Sequence, residues 1–236
     1  MKVLAIDTSH AVGGVAVAVD GEPTGAAQFG EGSSHLVEIG GAVDGLIAGA
    51  GLTAGDIDRV ALVRGPGSFT GLRIGMAYAK GLCAGLRTEL VVISTLELLA
   101  MPLLRQGFAV CALVDARKGE VYGAVYAPVE SPAPKTESTL VEPCAREPQK
   151  IVSEAKRYSP TYLGTGALRY RSVVESVDPG CRIEGESAAL PSAALLAEIA
   201  SHLDPLSGKE LAALEPFYVR TSDAVFKPLK PIDPNG

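Results

Sequence analysis

The sequence predicts an α/β fold in which mixed sheets are covered by helices and a similar unit occurs twice. Of its 236 residues 47% are hydrophobic, while only 5% are aromatic and tryptophan is absent. A hydrophobic core with so few aromatic residues is built from Val, Leu, Ile and Ala, as in sheets buried under helices. Each half of the chain opens with a strand, an Asp (Asp7 or Asp115), a turn and a returning strand. Each half then has a strand, a Gly-x-Gly turn and a helix, at Gly65-Pro66-Gly67 and Gly164-Thr165-Gly166.

The N-terminal half, residues 1–107, is predicted to form one lobe. Asp20-Gly21 is typical of a tight hairpin turn between strands, and apolar residues recur every three or four positions from His35 to Ala50, as in a helix. The predicted strands are Lys2–Asp7, Val15–Val19, Glu22–Gln28, Val60–Val63 and Leu90–Ile93. The predicted helices are His35–Ala50, Thr70–Leu86 and a third that begins at Ser94 or Thr95 and reaches Arg105.

The C-terminal half, residues 108–236, is predicted to form a second lobe. Residues 128–148 contain five prolines, which predicts a loop with at most one edge strand. The predicted elements are strand Phe108–Val114 closing in Asp115, strand Val121–Tyr126, a strand end at Tyr162-Leu163, a helix after Gly166 and helix Ser192–His202. We expect the Pro-rich tail from Lys227 either to pack back or to be mobile.

The composition argues against several classes of protein. The net charge of −6 differs from the basic excess of proteins that hold nucleic acid by themselves. The cysteines, at positions 83, 111, 144 and 181, form no CxxC pair, and three histidines offer little for zinc, so we expect buried or half-buried thiols. No apolar run approaches the length of a membrane span. The N-terminal apolar run is too short for a signal peptide, so we expect a cytoplasmic protein.

The most informative segment is the turn that leads into the second helix. It consists of Arg64, Gly65, Pro66, Gly67, Ser68, Phe69, Thr70 and Gly71. Free amides at a helix start favour anions, which makes a phosphate site one hypothesis. The Lys of a P-loop is missing, however, and Thr70 replaces the third Gly of a dinucleotide loop. The alternative is a tight strand-to-helix turn whose glycines adopt unusual dihedral angles.

Small residues recur every fourth position on the first two helices. They form three stripes: Gly41, Gly45 and Gly49; Gly71, Gly75 and Ala79; Ala77, Gly81 and Gly85. Because a glycine inside a helix costs about 1 kcal/mol relative to Ala, close packing must compensate. That packing lies either within the chain or at an interface with another subunit.

A basic stripe runs along the second helix, where Arg73, Lys80 and Arg87 are spaced seven residues apart. The stripe is either a solvated edge or a contact for an acidic partner or RNA.

Catalytic patterns are weak. Asp7 and Asp115 end strands at turns, where actin-like ATPases place phosphate- and magnesium-handling residues, although Asp is also a common turn residue. His35 is followed four positions later by Ile39, so the chain has no helical His pair at that point. No residue stands out as a nucleophile or a base.

Five segments resemble the bacterial TsaB (YeaZ) family over nearly the whole chain. They are LAIDTS at 4–9, RGPGSFTGLRIG at 64–75, AKGL at 79–82, VDARKGEVY at 114–122 and, more weakly, EPFYVR at 215–220. The resemblance implies an ASKHA (actin-like) fold of two RNase H-like lobes. It also implies a non-catalytic subunit that pairs with the catalytic paralogue TsaD and recruits the ATPase TsaE.

The resemblance further implies what this complex does and which residues take part. The complex transfers threonylcarbamoyl from its adenylate to the anticodon-adjacent adenosine of tRNAs reading A-starting codons. ATP, ADP and metal belong to the partners, tRNA is reached through the complex, and an isolated subunit can form a homodimer. The N-terminal helices form the contact, which makes interface candidates of Leu36, Ile39, Gly41, Val43, Gly45, Ile47, Gly49, Arg73, Met76 and Lys80. Asp7, Thr8 and Asp115 are candidates for a vestigial nucleotide site.

Two alternatives remain open on the residues alone. The chain is either an active enzyme, an ASKHA ATPase or kinase or a metal-dependent glycoprotease-like protein, or a homodimeric binding protein with no catalytic partner. The missing His pair disfavours the metalloenzyme. The residues Thr8-Ser9-His10, in place of an Asp-x-Gly motif, disfavour the ATPase.

Overall fold

A computed structural model describes residues 1–30, 35–134 and 136–220 of the chain. Its strands are β1 Lys2–Asp7, β2 Gly13–Val19, β3 Glu22–Phe29, β4 Arg59–Val63, β5 Glu89–Ile93, β6 Val110–Arg117, β7 Glu120–Tyr126, β8 Thr139–Arg146 and β9 Thr161–Leu163. Its α-helices are α1 His35–Gly49, α2 Phe69–Leu86, α3 Thr95–Leu104, α4 Pro148–Ala155, α5 Thr165–Arg169, α6 Arg171–Val177, α7 Ala193–Ile199 and α8 Gly208–Ala213.

The strands form two sheets with the same topology at their centre. The first sheet has the order β3-β2-β1-β4-β5 and the second the order β8-β7-β6-β9. In each, three antiparallel strands are followed by a strand that pairs in parallel with the first, β4 with β1 and β9 with β6. This repeat confirms the predicted duplication and the two-lobed ASKHA fold.

The helices divide the interior into layers. One face of the first sheet packs against α1 and α2, and its other face packs against α7. Helix α3 packs against β6 and β7 of the second sheet, whose opposite face is covered by α4 and α6. Because α7 comes from the C-terminal half, the chain returns to the first sheet after completing the second. The proposed lobes remain residues 1–107 and 108–236. Helix α7 of the second lobe packs on the sheet of the first and so joins them.

Several predicted boundaries were wrong. Strand β6 continues past Asp115 to Arg117, so the turn is tighter than expected, and Arg117, Lys118 and Gly119 all have positive φ. Helix α7 ends at Ile199 and continues as a 3₁₀ turn. Helices α4 and α8 were not predicted, because each is eight residues or shorter. Residues 31–34 and the tail from Lys227 lie outside the described residues.

Helix α2 is fixed by glycines that contact the end of β1. A Cβ added at Gly75 would lie 2.1 Å from Thr8 Oγ1, and one at Gly71 would lie 2.1 Å from the Thr8 carbonyl oxygen. Only glycine permits this approach. The Ser68 side chain begins the helix by accepting a hydrogen bond from the Gly71 amide at 3.2 Å. The stripe formed by Gly71, Gly75 and Ala79 therefore packs within the chain.

We predict opposite effects for two alanine substitutions on α2. Gly75→Ala will destabilise the protein by about 1–3 kcal/mol, because the methyl group has no space beside Thr8. Gly81→Ala, with no atom within 4 Å of the added Cβ, will stabilise it by up to about 1 kcal/mol. Urea denaturation of both variants measures the difference, and equal effects would contradict this packing account.

Candidate partner interface and interlobe cleft

The other small residues of α1 and α2 face open space. In the described part of the chain, a Cβ added at any of these glycines would meet no atom within 4 Å: Gly40, Gly41, Gly45, Gly49, Gly81 and Gly85. Packing within the chain therefore does not compensate the helical cost of these glycines. Within the described residues these positions therefore do not pack inside the subunit, and they form a surface where another backbone can approach closely.

An apolar groove lies between the exposed sides of the two helices. It encloses about 620 Å³ and is lined by Leu36, Val37, Ile39, Gly40, Phe69, Thr70, Arg73, Ile74, Ala77 and Tyr78; we call it the α1–α2 groove. Leu36 is 71% exposed, Val37 79% and Phe69 48%. Large apolar side chains this exposed on adjoining elements are typical of protein interaction sites.

Burial places four residues of the predicted interface in the core. Ile39, Val43, Ile47 and Met76 are each at most 6% exposed and pack in the core under the first sheet. These positions satisfied the helical apolar pattern because they form the inward face, and of the four only Ile39 also lines the groove. Residues of the groove that the sequence did not indicate are Val37, Gly40, Ile74 and Tyr78. Their only sequence signal was their position beside the apolar stripe.

Arg73 and Lys80 hold the last described part of the chain, residues 206–220, which we call the C-terminal segment. Arg73 Nε donates to Tyr218 Oη at 3.0 Å, and its guanidinium lies 3.9 Å from the centre of the Phe69 ring. Lys80 Nζ donates to the Leu214 carbonyl oxygen at 2.8 Å. The predicted basic stripe is therefore partly occupied by the chain itself, and Arg87 is left exposed at the end of α2.

The turn at residues 64–71, which leads into α2 and belongs to the segment that resembles the family, connects two other parts of the chain. The Ser68 amide donates to the Ser9 carbonyl oxygen at 2.7 Å, and a Cβ on Gly67 would lie 2.2 Å from that same oxygen. On its other side the Phe217 amide donates to the Arg64 carbonyl oxygen at 2.8 Å. The turn thus joins the loop after β1 to the C-terminal segment, which supports the tight-turn interpretation over a P-loop.

A second concave surface, the interlobe cleft, separates the two sheets. It encloses about 360 Å³ and is lined by Ser9, His10, Gly67, Ser68, Phe69, Val114, Asp115, Ala116, Arg117, Tyr122 and Thr165. The loop after β1 and the start of α2 form one wall. The end of β6 and the start of α5 form the other. The cleft therefore brings together the two strand–Asp–turn units that the sequence indicated.

The three candidates for a vestigial nucleotide site occupy different environments. Asp7 is 3% exposed and accepts a hydrogen bond from the Ser9 amide at 2.8 Å. Burial raises the pKa of Asp7, and the charge of His10 opposes that shift. Thr8 is fully buried beneath Gly75. Of the three, only Asp115 lines the cleft.

Ionic and hydrogen-bonding partners already hold Asp115. It accepts a hydrogen bond from the Arg117 amide at 3.0 Å, and its carboxylate lies 3.2 Å from Arg169 Nη1. Its own amide donates to Thr165 Oγ1 at 3.1 Å. These contacts fix the end of β6 against the start of α5 and leave little of the carboxylate exposed.

His35, Cys83 and Cys111 have structural roles. His35 Nε2 lies 2.9 Å from the His10 carbonyl oxygen and packs edge-on against Phe29. Cys83 and Cys111 are buried, and burial raises the pKa of the Cys83 thiol to about 11. Among the described residues, no three His, Cys, Asp or Glu side chains group so as to hold a metal ion. No helix among those residues is long and apolar enough to cross a membrane.

The sequence and structure of the chain are similar to those of known proteins. The family model described as "TsaD: tRNA N6-adenosine threonylcarbamoyltransferase" matches residues 31–157, more than half of the chain. The "tRNA threonylcarbamoyladenosine biosynthesis protein TsaB" of Haemophilus influenzae is 29% identical over 228 residues, 93% of this chain and 94% of that protein. The chain belongs to this family, in its TsaB (YeaZ) branch. The resemblance found in the sequence is thereby confirmed.

Two further comparisons agree with membership of the TsaB family. The Escherichia coli protein of the same description is 38% identical over 128 residues, 53% of this chain and 55% of that protein. A Pseudomonas aeruginosa crystal structure, described as an uncharacterized protein with similarity to peptidase YEAZ, superposes with a TM-score of 0.72. It is 24% identical and covers 93% of this chain and 99% of its own, which supports the fold.

We predict that Asp7→Asn will flatten the pH dependence of stability. Because burial raises the pKa of Asp7 in the folded state, the wild type loses stability as pH rises from about 4 towards that raised value. The variant has no proton to lose there, so its stability relative to wild type will increase with pH. Urea denaturation at a series of pH values measures this, and parallel curves would show that Asp7 is not strained by burial.

Proposed function

We propose that the chain is a non-catalytic subunit of the complex that places threonylcarbamoyl on tRNA adenosine. In this proposal it binds a catalytic paralogue of the TsaD type through the α1–α2 groove, and the assembled pair recruits the ATPase TsaE. The observation that carries the proposal is the groove itself. It combines open glycines with exposed apolar side chains on the N-terminal helices, where the family resemblance expects the contact.

The chemistry of the two surfaces supports a binding role over a catalytic one. Asp7 and Thr8 are buried, and Asp115 is held by two arginines. His35 is paired with a backbone carbonyl group, and Ile39 stands where a second histidine of an HxxxH pair would lie. We therefore assign ATP, ADP and metal to the partner subunits.

The net charge of −6 supports indirect contact with tRNA. Phosphate contacts supply most of the affinity of proteins that bind nucleic acid alone, and they require a basic surface. In this proposal the complex holds the tRNA, and the subunit acts by shaping its partner. We expect the protein to be cytoplasmic, because tRNA is modified in the cytoplasm.

We predict that Gly40→Leu will weaken pairing with the TsaD paralogue of the same organism. The leucine side chain would project into the α1–α2 groove, where glycine now leaves space. The dissociation constant should rise at least about tenfold, equivalent to about 1.4 kcal/mol. Co-purification and isothermal titration calorimetry with the paralogue measure this.

Ser153→Leu is the matched control, because it adds the same side chain to an exposed helical position of the other lobe. It should pair like wild type. Gly45→Leu changes a glycine of α1 outside the groove. Its dissociation constant shows whether the contact extends along α1 beyond the groove. Wild-type protein that fails to bind the paralogue, or Gly40→Leu that binds normally, would contradict the proposal and favour a stand-alone binding protein or an enzyme.

We predict that Asp7→Asn will leave tRNA modification largely intact in the reconstituted complex. An asparagine oxygen can still accept the hydrogen bond from the Ser9 amide. Threonylcarbamoyladenosine in tRNA, measured by mass spectrometry of digested nucleosides, should stay close to wild type. Complete loss of modification with the complex still assembled would instead favour an active ATPase site in this subunit.

A further inference from the structure

The end of the C-terminal segment, residues 214–220, contacts both lobes, and we call it the strap. On the first lobe, the Phe217 amide donates to the Arg64 carbonyl oxygen at 2.8 Å. On the second lobe, the Arg220 guanidinium forms an ion pair with Glu120 and donates to a carbonyl oxygen at the end of β6 at 3.4 Å. The strap therefore crosses from the turn before α2 to the turn between β6 and β7.

The strap also contacts one wall of the α1–α2 groove. The centres of the Tyr218 and Phe69 rings are 5.5 Å apart, and the Tyr218 hydroxyl accepts a hydrogen bond from Arg73. Phe69 and Arg73 line the groove, and they also line a neighbouring apolar pocket of about 490 Å³ that the strap helps to enclose. The strap thus holds side chains that a partner in the groove would contact.

At its other end the strap is attached to a wall of the interlobe cleft. Its ion-pair partner Glu120 begins β7, directly after the turn that follows β6. Ala116 and Arg117, at the end of β6, line the cleft. Tyr122 of β7 lines both the cleft and the apolar pocket beside the strap. One short segment therefore contacts the proposed partner surface and a wall of the cleft.

The contacts that hold the strap are weak enough for it to detach. In the described part of the chain beyond Ala200 no residue is buried, although Leu214 packs against the core of the first lobe. The side chains of Arg220 and Glu120 are 24% and 32% exposed, and Tyr218 is 40% exposed. Ion pairs that solvent reaches contribute little stability. Segments with few buried apolar contacts open locally while the rest of the protein stays folded.

Attachment of the strap prepares the groove for a partner. The Arg73 guanidinium lies 3.9 Å from the centre of the Phe69 ring while its Nε donates to Tyr218, so the Arg73 side chain is held in place. A flexible side chain that is immobilised only on binding reduces the binding free energy. Because the attached strap fixes Arg73 beforehand, a partner binds the attached state more tightly. By linkage, the bound partner stabilises the attached strap to the same extent.

We propose that the strap couples the α1–α2 groove to the interlobe cleft. A partner in the groove stabilises the attached strap, and Arg220 then holds the turn between β6 and β7, which carries one wall of the cleft. This regulation rests on the proposed function for the identity of the partner. The coupling between the two ends of the strap is a property of the chain alone.

The chain without a partner tests the coupling. Arg220→Gln removes the ion pair at the second lobe, and Tyr218→Ala removes the ring and the hydrogen bond at α2. In hydrogen–deuterium exchange, Arg220→Gln should speed exchange in the first turn of α2 at least about twofold, and Tyr218→Ala should do the same in the β6–β7 turn. Arg157→Gln, an exposed arginine away from the strap, should change neither. Effects confined to the substituted end would overturn the proposal.

Binding to the TsaD paralogue, measured by calorimetry, tests the direction of the coupling. Although Arg220 does not line the groove, Arg220→Gln should raise the dissociation constant about three- to tenfold. Arg220→Glu should weaken binding as well, and Glu120→Arg combined with it should restore the affinity by reversing the ion pair. Unchanged binding by Arg220→Gln would overturn the proposal, and tighter binding would show that the strap competes with the partner.

The two experiments separate this proposal from the proposed function. If the wild-type chain does not bind the paralogue, the proposed function fails, while the exchange experiment still decides whether the strap couples the lobes. If the wild-type chain binds but the strap variants show no effect at the far end, only the coupling fails.

Discussion

The contact between the glycine stripe of α2 and the end of β1 determines how the N-terminal lobe is organised. Gly71 and Gly75 lie against Thr8 at a distance that no side chain permits, and Gly67 does the same against Ser9. The second lobe repeats the arrangement, because a Cβ on Gly164 would lie 2.3 Å from the Leu113 carbonyl oxygen. In both lobes the helix after the parallel strand is thereby held on the first strand of its sheet.

This contact gives α2 two different surfaces. Its glycine stripe is buried against β1, which fixes the loop carrying Ser9 and His10 at the edge of the interlobe cleft. Its other side faces outward beside α1 and forms the groove, with Phe69 exposed at its end. One helix therefore connects the cleft to the proposed partner surface. Arg73 and Lys80 add the C-terminal segment to this unit.

The strands, the long helices and the duplication were predictable, because they follow from apolar periodicity and turn residues over long segments. Periodicity did not separate the two sides of α1, so Ile39 and Val43 were grouped with exposed Leu36 although they form the core. The open glycines and the packed glycines also have the same spacing in the sequence. Only the position of β1 distinguishes them.

Hydrogen–deuterium exchange of the chain, alone and mixed with the TsaD paralogue, tests the central claim most directly. Exchange reports which backbone amides lose access to solvent or become more stable on binding. The account predicts that binding slows exchange in α1 and in the first half of α2, while α4 and α6 of the second lobe exchange as before. Protection centred on the second lobe, or none at saturating paralogue, would contradict a partner surface in the α1–α2 groove.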